Sequence, residues 1–209
     1  MSVFYSIVGI FIHVPAFLLV VTIHGYAKAA VSLAVGDKGP AESGRLTFNP
    51  VKHLDAFGFL CFFFFRLGWS KPMDLKPFSY KGDRRKNELI VSIFPLAVNL
   101  MAAAVFAVCV HFLSVSVPRE VLLERGGQRF LYDLMRILAF QNMTFVIFNL
   151  IPIYPLDGSR ILAVVKPGWW AKIKNNERMA QTVLMVLMFL HILDAFISTF
   201  AAGILSFII

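Results

Sequence analysis

Three apolar runs constrain this 209-residue chain more than anything else in it. Residues 2–23, 89–117 and 179–209 are each long enough to cross a bilayer, which takes about 20 residues. A soluble domain is about 45–50% apolar; this chain is 58% hydrophobic and carries 22 Phe. In lipid every backbone N–H and C=O must be satisfied internally, and runs of this length do so as helices. The expected fold class is an all-α polytopic membrane protein. The first run lacks the pattern of a signal peptide: it has no basic start, contains His13, and passes without a small-residue cleavage site into polar sequence.

The organisation reads as one transmembrane domain over 1–209, without linker or repeat. Full crossings are expected at about 3–35, 88–116, 130–149 and 179–208. Residues 36–53 form a polar loop punctuated by Gly36, Gly39, Pro40, Gly44 and Pro50. Residues 54–69 are apolar but too few for a span, which suits a re-entrant or interfacial element. Pro152 and Pro155 interrupt the chain before a short helix at about 157–166, and 167–178 reads as a basic loop.

The net charge of +8 would suggest nucleic acid in a soluble protein. Here the basic residues cluster between apolar runs, so topology explains them and no nucleic-acid partner is expected. Lys and Arg dominate 66–87 and 166–178, whereas 117–129 is nearly balanced: Arg119, Arg125 and Arg129 against Glu120 and Glu124. The positive-inside bias puts the two basic loops in the cytoplasm of a multi-pass cell (inner) membrane protein. Both chain ends then lie outside, and residues 24–28 and 149–157 share the cytoplasmic side. Cys61 and Cys109 sit in apolar sequence with neither disulfide nor zinc-finger spacing, so both read as small buried hydrophobes.

On that side stand two motifs. Residues 24–28 read His24-Gly25-Tyr26-Ala27-Lys28; residues 149–158 read Asn-Leu-Ile-Pro-Ile-Tyr-Pro-Leu-Asp-Gly. Positions i and i+4 of a helix face the same way. A His-Glu-x-x-His helix therefore aims two imidazoles at one zinc, with the Glu beside it as general base. The chain resembles the site-2 protease family (peptidase family M50), in particular its compact prokaryotic branch. Further fragments carry the resemblance: Val35-Gly36-Asp37, Gly44-Arg45-Leu46-Thr47-Phe48-Asn49-Pro50 through His53 and Asp55, Gly68-Trp69-Ser70-Lys71-Pro72, and Pro95 with Asn99 on the next helix, where Phe94 takes a glycine's place. It implies a site-2 protease-like core and an ancestral site at His24, position 25, position 28 and Asp157.

The departures are expected to disable that site. Gly25 has no side chain to move a proton, which would forfeit a general-base contribution of roughly 10²–10⁴-fold. Lys28 as an ammonium has three donors and no lone pair for a metal. Lys28 either pairs with Asp157, whose lone carboxylate would be expensive at membrane depth, or snorkels to the interface. His53 is either a rescue metal ligand or a loop histidine bonded within its own turn. Asn99 and Asn149, which by resemblance hold a substrate backbone, either line a polar groove or make ordinary interhelical hydrogen bonds. His13 is expected to make a helix-packing bond, and His191 to pair with Asp194 three residues on.

The expected function is a catalytically inactive homologue, a pseudoprotease, serving as a membrane-embedded binding or scaffold subunit. Its partners would be the lipid bilayer and another membrane protein or transmembrane helix, with no cofactor. The competing reading is a divergent intramembrane zinc metalloprotease using His24, His53 and Asp157.

Overall fold

The computed structural model describes residues 2–123 and 126–208, and of residues 2–10 and 123 the backbone alone. Ten α-helices follow one another among the described residues: α1 (Ser2–Ala34), α2 (Gly39–Glu42), α3 (Ala56–Phe65), α4 (Arg84–Ser116), α5 (Arg119–Leu123), α6 (Gly127–Asn149), α7 (Asp157–Val165), α8 (Pro167–Asn175), α9 (Glu177–Phe189) and α10 (Ile192–Leu205). No strand forms among them beyond one isolated antiparallel bridge between Leu54 and Ser70. The apolar runs thus become helices, and the protein is an all-α polytopic membrane protein. Phe11–Ala34, Arg84–Ser116 and Gly127–Asn149 are each long and apolar enough to cross a bilayer.

Helices α1, α4 and α6 pack together, with α7 against α4 and α10 against α6. Lipid is as apolar as a leucine side chain, so membrane helices associate through small residues that let backbones approach. Ala103 and Ala107 of α4, Ala139 of α6 and Ala201 of α10 are fully buried and supply that contact. On the other side of α1, Phe17 stacks on Phe62 of α3 at 4.0 Å, beside Val20, Val21 and Phe145.

Helix α3 has ten residues, about 15 Å of rise, roughly half of a bilayer core. Asp55 caps its start by accepting from the Gly58 N–H at 2.7 Å. It ends at Arg66, whose left-handed φ of 60° turns the chain back. The return strand bonds the entry strand, with Lys71 N donating to the His53 carbonyl at 2.7 Å. The short apolar stretch expected at 54–69 is thus a helical hairpin that enters and leaves at one level.

Three expectations need correction. The single last crossing at about 179–208 is broken: α9 and α10 meet at a 72° bend, with His191 left-handed at φ 55°. The basic loop at 167–178 holds helix α8, started by Pro167 at its first position and ended by Lys172 and Lys174 in its last turn. The second crossing begins at Arg84 rather than 88, capped by Asp83. In the balanced loop, Glu124 and Arg125 lie outside the described residues.

Candidate functional site

The chain from Leu150 to Leu156 is held in tight turns before α7 begins at Asp157. Gly158 makes the turn possible. A Cβ there would stand 2.2 Å from the Leu150 carbonyl oxygen and 2.5 Å from that of Ile151. The α7 N-terminus, where free N–H groups favour a carboxylate, thereby folds back on the Leu150–Ile151 turn, and Asp157 there meets side chains of α1.

Asp157 is buried, and two side chains one turn apart on α1 meet it. Lys28 Nζ donates to Asp157 Oδ1. His24 Nε2 lies 2.8 Å from Asp157 Oδ2 without a well-formed hydrogen bond. The other ring nitrogen, Nδ1, faces Asn99 Oδ1 at 3.2 Å. Asn99 Nδ2 donates to the Val20 carbonyl at 3.2 Å and to Asn142 Oδ1 at 2.9 Å. Those two acceptors fix the amide orientation, so Nδ1 of His24 carries the hydrogen. Asn142 closes the chain by donating to the Leu138 carbonyl at 2.8 Å. A polar thread thus runs from His24 of α1 through Asn99 of α4 to Asn142 of α6, beside the Lys28–Asp157 pair.

Gly25 and His53 form the other half of the site. His53 is fully buried, and its Nε2 donates to the Thr47 carbonyl at 2.7 Å. Its Nδ1 has no partner and lies 2.1 Å from where a Cβ on Gly25 would stand. The ring occupies the volume that any side chain at position 25 needs. Burial pushes the His53 pKa down, with a smaller opposing effect from the Thr47 bond, so the ring is held neutral.

The remaining candidates fall as follows. Asn149 is buried and donates to the Phe145 carbonyl at 2.8 Å, so neither it nor Asn99 offers much surface to a groove. His13 receives both donors of the Gln141 amide, at Nδ1 (2.9 Å) and at its backbone carbonyl (3.1 Å). His191 Nδ1 lies 3.0 Å from Asp194 Oδ2. Two residues not singled out from the sequence also matter. Asn142 completes the thread, and its signal was an amide inside an apolar helix. Buried Arg45 donates to the Lys71 and Pro72 carbonyls at 2.9 and 2.7 Å, pinning the 68–72 stretch to the loop that carries His53.

The relatives known by sequence agree with this architecture. The profile of peptidase family M50 matches residues 7–193. A Bacillus subtilis (strain 168) protein named "Putative zinc metalloprotease YwhC" is 30% identical over 167 residues, covering 79% of this chain and 74% of its own length. No solved structure matches the chain.

The family implies zinc, and the side chains as arranged do not fit it. A metal between His24 and Asp157 would meet the Lys28 ammonium on the same carboxylate, a donor where a ligand is required. His53 is turned to the Thr47 carbonyl and to Gly25. Among the described residues His24, His53 and Asp157 are not gathered into a three-donor group. With its two motifs brought together at Asp157 and its profile match running through nearly the whole length, the chain belongs to peptidase family M50.

Proposed function

We propose that the protein is a pseudoprotease: a membrane-embedded binding or scaffold subunit that keeps the site-2 protease frame without peptide hydrolysis. The observation that carries this reading is the contact between Lys28 and Asp157. The ammonium supplies the positive charge the carboxylate needs, in the place where a metal ligand would stand. Gly25 offers no general base, and the volume of one is filled by His53. The frame is retained around this change: Asn99, Asn142, Asn149 and the Gly158 turn remain built and buried. A partner of matching kind is another membrane protein or transmembrane helix. On this reading the protein sits in the cell (inner) membrane with the basic loops 66–87 and 166–178 on the cytoplasmic side, Arg66 itself standing at the turn of the α3 hairpin.

The test is metal content and cleavage together. Full-length protein purified without chelator is assayed for zinc and incubated with transmembrane-helix substrates in mixed micelles. Substoichiometric zinc, and no cleavage distinguishable from the His24→Ala variant, is the expected outcome. One zinc per chain that is lost in His24→Ala, or cleavage that depends on His24, overturns the reading. It would restore the metalloprotease alternative built on His24, His53 and Asp157.

A further inference from the structure

About three helical turns along α1 from His24, roughly 16 Å away, lies a second polar site that shares no residue with the first. It is a cavity of about 190 Å³ between α1, α3, α6 and α10, lined among others by His13, Arg66, Gln141, Thr144, Asp194 and Ser198. Two interrupted helices end around it. Arg66 closes α3 and His191 opens α10, and these are the two non-glycine residues with positive φ among those described. The Phe65 and His191 rings stand 6.1 Å apart, so the two breaks share one layer. Broken helices at membrane depth are tolerated where they are buried or line a polar cavity.

The hydrogen-bonding inventory of the cavity is incomplete in a defined way. Gln141 is 6% exposed. Both of its donors go to His13, and turning the amide over would set its oxygen against the His13 carbonyl. Its Oε1 is therefore fixed as a buried acceptor, and among the described residues it has no partner. Among the described residues, no carboxylate lies within ion-pair distance of Arg66. Asp194 lines the same cavity. Its oxygens accept from Ala195 N and face His191, and each keeps a second lone pair.

Only Gln141 Oε1 is a buried unmet group; Arg66 at the rim is exposed and can take an anionic acceptor, and half-buried Asp194 can take a donor shared with Gln141 Oε1. A ligand that is only an anion satisfies one end and leaves the buried amide oxygen unpaired, which costs free energy. A zwitterion satisfies both. The cavity is smaller than the roughly 300 Å³ at which drug-sized pockets begin, so it takes a headgroup and not a whole lipid. Phe64 and Phe196, two residues from Arg66 and from Asp194 in sequence, are 62% and 67% exposed and offer apolar surface for acyl chains. We propose that this cavity binds the headgroup of a phosphoethanolamine lipid, its phosphate on Arg66 and its primary ammonium on Gln141 Oε1 and Asp194.

The test uses the full chain in detergent micelles doped with one lipid at a time: phosphatidylethanolamine, phosphatidylcholine or phosphatidylglycerol. Bound lipid is counted by native mass spectrometry, and thermal unfolding is followed in parallel. Phosphatidylcholine keeps the charges but has no N–H to donate, so the wild-type protein alone tests the idea. The expected result is retention of phosphatidylethanolamine about tenfold above the other two, the size of one charge-assisted contact, with a matching rise in Tm. The preference is expected to vanish in Asp194→Asn and in Arg66→Gln while the chain stays folded by circular dichroism. Equal retention of ethanolamine and choline lipids overturns the proposal, as does a preference that survives both substitutions. Soluble glycerophosphoethanolamine raising Tm as much as the lipid overturns the assignment to a lipid.

Discussion

The imidazole of His53 stands where a side chain on residue 25 would have to begin. Its Nδ1 is 2.1 Å from the ideal Cβ position of Gly25, and its Nε2 is tied to the Thr47 carbonyl. Real Cβ contacts are never that close, so even alanine at 25 forces the ring out of a fully buried place. Gly25→Ala is expected to lower stability by about 1–3 kcal/mol through overpacking. The loss should shrink when His53→Ala is made in the same chain, because the obstruction is gone. A double-mutant cycle on Tm in mild detergent measures this. Additive losses would show that the ring and residue 25 do not compete for space.

The same histidine predicts a pH dependence. Burial depresses its pKa in the folded protein below the usual value of about 6.5. The unfolded chain therefore binds the proton first as pH falls. Stability from the neutral ring is fully present above about pH 6.5 and is lost progressively below it, down to the folded pKa. Tm measured between pH 7.5 and 5.5 should fall more steeply for the wild type than for His53→Gln. Parallel slopes would remove His53 from the acid sensitivity.

Much of this is legible in the sequence because its causes are local. Length and hydropathy dictate α1, α4 and α6, and the lack of length in 54–69 dictates a hairpin in place of a crossing. The meeting of residues 24–28 with 149–158 rested on the positive-inside topology and the family resemblance, and the sequence left Lys28 two places to go, Asp157 or the interface. The Gly25–His53 relationship was not readable, since a missing side chain says nothing about what fills its volume. Nor was the α9–α10 break. No Gly or Pro marks residues 190–191, and the left-handed His191 is held by packing near Phe65 and by Asp194. Helix α8 did carry a signal, Pro167 in a first-turn position, which the surrounding Lys residues hid within a charge pattern.

Gly158 is expected to be among the least replaceable residues outside the ion pair. The atoms that a Cβ would strike are backbone carbonyls of Leu150 and Ile151, which have no rotamer to escape into. Gly158→Ala should cost at least the upper end of the roughly 1–3 kcal/mol of overpacked sites. It should also move the α7 N-terminus from α1, separating Asp157 from Lys28. Cysteine cross-linking of positions 28 and 157 in a Cys61→Ala, Cys109→Ala background reports the separation. Undiminished cross-linking efficiency in the Gly158→Ala chain would show that the turn tolerates the methyl group.

The ion pair itself sets the largest expected effect. Lys28 and Asp157 are 7% and 4% exposed, so neither charge can turn to water without rearrangement. Removing one partner leaves the other buried and uncompensated, which costs about 3–5 kcal/mol. Removing both trades desolvated charges for apolar contact and is often neutral. Asp157→Leu and Lys28→Met are therefore each expected to destabilise strongly. The double variant should recover most of the loss. Thermal unfolding of the four proteins in one detergent decides it: single losses that simply add would mean that the two charges do not compensate each other across α1 and α7.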